Sequence, residues 1–549
     1  MAKKSFIRGA AILGAAGIII KILGAFFRIP LSNLIGDTGM GYYQTAYPIY
    51  VLFLMISTAG IPIAISRMVS ERIALGNYGQ AHRVFKLSFR LLVITGIVST
   101  SICVIFAKPL VGALENPNAY FAMLAIAPAL LFVPIQAAYR GYFQGMQDMK
   151  PTAVSQVVEQ AFRVGLGLYL AYAFIKFGPD KAAAGAAFGA TAGGIGGAAA
   201  IGLIYFLRRS KIKRRIRKSK RENSNDIEES TKSVILKLLA IAIPITIGSA
   251  TMPIMNAVDI AIVMRRLQET GWTYEQANSL YGQLAGFAAP LINFPQVLTQ
   301  AISMSLVPAV VAAYSLGQTT ELHKNIKLGL RTALIVGFPC AAGLITLAKP
   351  IMLTLYPSRP ESAISAAGAL MILAVGVIFL STLQTLTGVL QGIGKQIIPV
   401  RNLFIGVIAK IILVYVLSGI PEINVKGAAI GTVFAYIIAS TLNLLAVKKY
   451  TKVKFDFVIT YVKPAISTLA MAVASAISYK LASLVLGNAL STLFAVLVAI
   501  SVYTVMILIS GAISLEEMEN LPRGKKLVKI IKKLNAINRK RKSEQQKNK

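Results

Sequence analysis

"AHRVFKLSFRLLVITG" at positions 81–96 and "LHKNIKLGLRTALIVG" at positions 322–337 are two copies of one pattern. His82 aligns with His323, Lys86 with Lys327, Arg90 with Arg331 and Gly96 with Gly337, each at a separation of 241. A "KP" pair follows both copies, as Lys108-Pro109 and Lys349-Pro350. Farther on, Gly141, Gln144 and Gly145 answer Gly388, Gln391 and Gly392 at a separation of 247, which also aligns Arg163 with Lys410. "AAGAAFGAT" from Ala183 then answers "VKGAAIGTV" from Val425. Matches in this order indicate an internal duplication, with one lobe over 1–207 and the second over 233–447.

The duplicated unit is a membrane bundle. Apolar residues make up 56% of the 549 residues and charged residues only 14%, where a soluble chain carries about a quarter charged. Mean hydropathy is +0.67. Apolar runs near the roughly 20 residues needed to cross a bilayer recur from end to end. The soluble-globular class is excluded, and the spacing predicts an all-α polytopic membrane protein of about fourteen helices. Six fall in each lobe and two more in 448–515. An even number of crossings gives both lobes the same orientation, related by an axis along the membrane normal. The first helix is predicted over 9–34 and the second over 43–66. The eighth, over 279–313, is too long for one straight crossing, and Pro290, Pro295 and Pro308 are expected to kink or interrupt it. The basic start with Lys3, Lys4 and Arg8 resembles a secretory signal, but the apolar stretch runs on past Lys21 and Arg28 and reads as a retained helix.

The formal charge of +36 is topological. With the N-terminus in the cytoplasm, 44 of the 57 Lys and Arg fall on the cytoplasmic side, nine outside and four within helices. Both termini inside a bacterial cytoplasmic membrane fits the positive-inside rule, and nucleic acid is not an expected partner. Residues 208–232 read as a flexible basic cytoplasmic linker. The basic tail 516–549 reads either as a helix on anionic lipid or as a solvated tail. Cys103 and Cys340 lie in apolar runs and read as packing residues. His82 and His323 occupy equivalent helix starts, without an acid-plus-nucleophile constellation nearby, and read as structural.

The four intramembrane cations carry the chemistry. A charge at mid-helix costs about 2.5–3.5 kcal/mol on insertion scales, so it faces a polar cavity or a partner. Lys21 and Arg28 are seven residues apart and share one face, about 10 Å apart along the axis. Arg163 has Glu159 one turn earlier, a ready ion-pair partner. Lys410 has Gly406 at that spacing and no local partner. Asp259, Arg265 and Arg266 form a candidate external gate, or an interfacial ion pair. Asn293, Gln296 and Gln300, with Tyr42, Tyr43, Gln44 and Tyr47, supply neutral hydrogen-bonding groups. Cations outnumber acids, which suits an anionic ligand such as a diphosphate. Lys21, Arg28, Arg163, Lys410, Asn293 and Gln296 are the candidate lining of a headgroup cavity. No metal-ligand or catalytic constellation is present, and "GVLQGIGKQ" near Lys395 lacks the Walker spacing. No cofactor is expected; a coupling ion or the membrane potential would supply the driving force.

"KILGAFFRIPLSNLIGDTGMGYYQTAYPIY" (21–50), "STAGIPIAISRMVSE" (57–71), "FPQVLTQAISMSLVPAV" (294–310) and "LTGVLQGIGK" (386–395) resemble the stage V sporulation protein B type of polysaccharide exporters. These belong to the multidrug/oligosaccharidyl-lipid/polysaccharide exporter superfamily, which includes the lipid II flippases of Gram-positive bacteria. The resemblance implies a secondary transporter, not an enzyme, that moves lipid II from inner to outer leaflet by alternating access. It places the diphosphate in a central cationic cavity, with Lys21 and Arg28 at the family's basic positions, and the polyprenyl tail along helices thirteen and fourteen. Membrane lipids and cell-wall synthesis proteins are the implied partners. The acidic residue that some relatives carry early in helix two is replaced here by Tyr42, Tyr43 and Gln44. The alternatives are a flippase for another undecaprenyl-diphosphate-linked glycan and a cation-coupled multidrug exporter.

Overall fold

A computed structural model describes residues 2–58, 60–222 and 229–512. The side chain of Lys21, part of the 208–232 linker and the 516–549 tail lie outside the described residues. The described chain is helical throughout, with no strand.

Helix α1 (Ala2–Thr58) is two crossings joined at Gly36, whose φ of 70° and ψ of −174° leave the helical region. The rings of Phe27 and Tyr43 are 6.2 Å apart, whereas one continuous helix would separate them by about 24 Å. The chain therefore turns back at Gly36, where a positive φ favours glycine. Helix α2 (Ile61–Ala74) follows, then α3 (Tyr78–Ile105), capped by the Asn77 side chain accepting from the Gln80 amide at 3.1 Å. Short α4 (Ala107–Gly112) and α5 (Tyr120–Ile126) lead into α6 (Ala129–Gly145); α7 (Lys150–Phe174) and α8 (Pro179–Glu222) complete the first repeat.

The second repeat begins with α9 (Thr231–Glu269) and α10 (Tyr274–Gly282), the latter started by a Thr273/Gln276 capping box. The long eighth segment is interrupted, as its length required, by a π-helical turn at Gln283–Ala288, upstream of the prolines. It continues as α11 (Ala289–Ser315), with Pro295 and Pro308 inside the helix. Then come α12 (Thr319–Thr346), α13 (Ala348–Leu355), α14 (Pro360–Gly392), α15 (Ile397–Leu417) and α16 (Lys426–Thr451). Helices α17 (Lys463–Ala482) and α18 (Asn488–Ile509) lie outside the duplication.

Among the described residues, 11 helices are long and apolar enough to cross a membrane, against the expected fourteen. The stretch Ile22–Ala74 counts once although it contains the Gly36 reversal, and neither α7, with Glu159 and Arg163 at its middle, nor α9 is among the 11.

The linker reading needs correction. Helix α8 runs 44 residues, through Arg208 and the following basic residues to Glu222, about 66 Å at 1.5 Å per residue. Its basic end is amphipathic: Ile212 is buried in a core with Ile65, Val84 and Leu238. Two turns farther on, the Ser219 hydroxyl accepts from the Tyr78 amide at 3.0 Å and donates to the Gly76 carbonyl at 2.9 Å. Glu229 then accepts from Arg72 at 2.9 Å and Lys237 at 3.0 Å. The Lys237 hydrogen bond, with the Arg72 charge, holds the Glu229 carboxyl below its ordinary range.

The chain divides into two compact units that cut across the repeats. One comprises Met1–Leu291, Met352–Leu373 and Val407–Ala435; the other comprises Ile292–Ile351, Ala374–Gly406 and Tyr436–Lys549. The duplicated segments bury the same face in each. Ala81, Phe85, Ser88, Leu92 and Gly96 are buried on α3, and their partners at a separation of 241, Leu322, Ile326, Gly329, Ala333 and Gly337, are buried on α12. His323 Nε2 lies 2.6 Å from the Thr451 carbonyl, and the His82 ring packs on Phe85 and Tyr142.

Candidate functional site

A carboxylate inside a membrane helix must be matched, and Glu159 on α7 is matched twice. Its Oε2 accepts from Arg140 on α6 at 2.9 Å, and its Oε1 from Arg163 at 3.0 Å. Gln136 donates to Oε2 at 3.0 Å; Arg140 also donates to the Gln136 side-chain oxygen at 2.8 Å and to Ser155 at 2.9 Å. Two guanidiniums share one carboxylate, so the knot keeps a positive charge. The Arg163–Glu159 pair follows from its i,i+4 spacing. Arg140 and Gln136 were missed because their partner is on the next helix.

Lys410, which has no partner on its own helix, pairs with Asp259 of α9. Each side chain is 15% exposed. The expected gate therefore separates into two arrangements. Asp259 is taken by Lys410, while Arg265 and Arg266 both bind Glu269, the former at 3.0 Å. Arg266 also stacks over the Tyr415 ring at 4.5 Å and donates to the Tyr415 carbonyl at 3.0 Å.

Arg28, on α1, belongs to the same compact unit as both sites. It is half-buried, and among the described residues nothing hydrogen-bonds or ion-pairs with it. Its charge is close enough to act on the hydroxyls of Tyr43, Tyr281 and Tyr356. Tyr43 also feels Arg163, and Tyr281 also feels Asp259. Arg163, Tyr43, Arg28, Tyr281, Asp259 and Lys410 thus form a belt inside one compact unit, drawn from both repeats. With Arg140, four cations face two carboxylates. Such a belt can hold a dianion, with the guanidinium of Arg28 free for bidentate contact with phosphate oxygens. Asn293 is exposed and Gln296 half-buried; both belong to the other compact unit.

A second polar cluster ties the repeats together at the end of the bundle that carries the Gly36 turn. Asp37 Oδ2 accepts from Ser279 at 2.7 Å, Ser362 at 2.8 Å and Gln283 at 2.9 Å. Asn278 donates to the Thr38 carbonyl at 2.9 Å, and Asn116 donates to Thr45 at 2.7 Å and to Asn278 at 2.8 Å. The backbones meet closely here: a Cβ at Gly282 would stand 1.9 Å from the Asp37 carbonyl oxygen. The sequence signal was a lone acid, Asp37, between two apolar runs; its neutral partners from 278–283 and 362 carried none.

The polysaccharide biosynthesis protein family matches residues 6–314, and the MatE family matches 284–416. Stage V sporulation protein B of Bacillus subtilis is 26% identical over 95% of this chain and 98% of its own length. Lipid II flippase MurJ of Bacillus subtilis is 28% identical over 93% of this chain and 94% of its own. Among solved structures, a lipid II flippase MurJ in an inward closed conformation superposes with a TM-score of 0.68 at 16% identity, covering 90% of this chain and 98% of that one.

Proposed function

We propose a function from one premise: the chain belongs to the polysaccharide biosynthesis protein family, within the multidrug/oligosaccharidyl-lipid/polysaccharide exporter superfamily, and is a multi-pass membrane transporter rather than an enzyme. On our reading it flips lipid II, the undecaprenyl-diphosphate-linked peptidoglycan precursor, from the inner to the outer leaflet of the bacterial cytoplasmic membrane. The observation that carries this reading is Arg28, a half-buried guanidinium on a membrane helix, with no ion-pair or hydrogen-bond partner among the described residues. A charge left in that state costs several kcal/mol unless a ligand or water compensates it. A diphosphate does so with the oxygens that a guanidinium fork recognises.

With both termini cytoplasmic, the Asp37 cluster lies at the external end, and opening outward requires its hydrogen bonds to break. Occupation of the belt by a dianion would remove the cationic excess and favour that opening. No cofactor enters; an anionic headgroup moving outward gains about 2.3 kcal/mol per charge per 100 mV of inside-negative potential. The polyprenyl tail would follow α17 and α18, whose surface includes the exposed Leu469, Val473, Leu493 and Leu497.

The test is depletion of the protein in its host with outer-leaflet labelling of lipid II. Wild type restores labelling, Arg28→Ala cuts it at least about tenfold at equal membrane abundance, and Arg28→Lys restores part of it, because one bidentate charged contact is worth about 1.5–3 kcal/mol. Full labelling with Arg28→Ala would remove the proposed site. Unchanged lipid II on depletion, with another diphosphate-linked glycan retained inside, would move the substrate and keep the site. The match of residues 6–314 to the polysaccharide biosynthesis protein family favours that second reading over drug export.

A further inference from the structure

The first repeat carries a cavity of about 460 Å³ at the junction of α5, α7 and α8, away from the charged belt. Its walls are phenylalanines: Phe121, Phe174, Phe177 and Phe188. All four are exposed, between 37% and 61%, so the cavity opens sideways and not into the bundle. Lys181 is among the lining residues, and Lys176 lies against the lining Phe177. Lys181 Nζ lies over the Phe121 ring at 4.7 Å and Lys176 Nζ over the Phe177 ring at 5.0 Å; beside them, Lys108 Nζ lies over Tyr120 at 5.6 Å. Among the described residues none of these lysines forms an ion pair, although Asp180 is next to Lys181 in sequence.

The order of these groups with depth is informative. Phe188 is seven residues into α8 from Lys181, which places it on the same face about 10 Å deeper. Pro128, another lining residue, stands seven positions beyond Phe121 in the same sense. Cation is thus followed by apolar wall over the 5–10 Å that separates headgroups from the upper acyl chain. Solvated lysines would satisfy the charge alone, and lipid-facing phenylalanines the apolar wall alone. The two in register describe an amphiphile. The three lysines are also a third of the nine basic residues that the charge count places outside, where the positive-inside rule disfavours them.

We propose that this cavity binds one anionic phospholipid, its phosphate on Lys181 and Lys176 and an acyl chain among the phenylalanines. The lysines leave the ring faces for the phosphate, exchanging a cation–π contact for a charged hydrogen bond. None of the belt residues lines the cavity, so the translocation reading stands or falls separately.

Native mass spectrometry of the full chain in neutral detergent tests this with phosphatidylglycerol and phosphatidylcholine of identical acyl chains. Wild type should retain phosphatidylglycerol about thirtyfold more tightly, following the roughly 1 kcal/mol per basic residue of anionic-lipid attraction for the two lysines. Lys176→Gln/Lys181→Gln should erase the preference, bringing phosphatidylglycerol retention down to that of phosphatidylcholine. Ala184→Phe, which fills the cavity, should reduce retention of both lipids. Glycerol 3-phosphate, which has no acyl chain, should fail to displace the bound lipid. Equal retention of the two lipids by wild type, an undiminished preference in the lysine variant, or displacement by glycerol 3-phosphate would overturn the assignment.

Discussion

The two repeats solve one electrostatic problem differently at equivalent positions. Arg163 and Lys410 are aligned by the duplication, and each is a cation inside a membrane helix. In the first repeat the answer is local: Glu159 sits one turn away, and Arg140 and Ser155 complete a charged knot between α6 and α7. In the second, the position of Glu159 is taken by Gly406, and Arg140 and Ser155 correspond to Thr387 and Asn402. Those residues form an uncharged knot, with Asn402 donating to Asn443 at 2.9 Å and Asn443 to Thr387 at 3.1 Å. Lys410 instead reaches α9 and pairs with Asp259. Duplication preserved the cation and not its partner. A shared carboxylate bonded to two arginines is hard to separate, whereas a one-to-one pair between α9 and α15 breaks whenever those helices part. We therefore read the first knot as scaffold and the second pair as the movable half of the belt.

The largest effect should come from the charged knot. Glu159→Gln leaves two buried guanidiniums without an anion, and the expected loss is about 3–5 kcal/mol, read as a large drop in the thermal unfolding midpoint of the purified protein. A loss below about 1 kcal/mol would mean that water reaches the knot, and would remove its scaffold role. Asp259→Asn comes next, at about 3 kcal/mol for one stranded ammonium. Asp259→Asn/Lys410→Met should recover most of that, because replacing both members of a buried pair is often neutral. If the double variant is instead as unstable as the sum of the singles, the two residues are not energetically coupled and the contrast between the repeats fails. The smallest effect belongs to the neutral knot, where Asn443→Ala should cost about 1–2 kcal/mol through lost hydrogen bonds. A cost equal to that of Glu159→Gln would show that charge is not what distinguishes the two knots.

Legibility in the sequence followed the range of each interaction. The Arg163–Glu159 pair was legible because helical spacing alone sets it. The equivalence of α3 and α12 was legible because one pattern was written twice. Lys410 was legible as a problem without its solution, since Asp259 is 151 residues away. Asp259, Arg265 and Arg266 looked like one gate because they share a short stretch, yet α15 draws Asp259 away and Glu269 holds the arginines. The basic run after Arg208 looked flexible by composition. Its Ile212 and Ser219 nevertheless continue the buried face of α8, and contact with the α2–α3 turn holds the helix.

The sequence by itself determined the membrane class, the duplication and the family. Each of these rests on composition, period or aligned motifs, and needs no knowledge of which helices touch. Tertiary structure alone decided which cations are neutralised, which leaves Arg28 without an ion pair or hydrogen bond among the described residues. It also decided that Asp37 is held by hydroxyl and amide groups from the second repeat. The physical reason is that insertion cost attaches to each charge separately, while its relief depends on which helix brings a partner within about 3 Å.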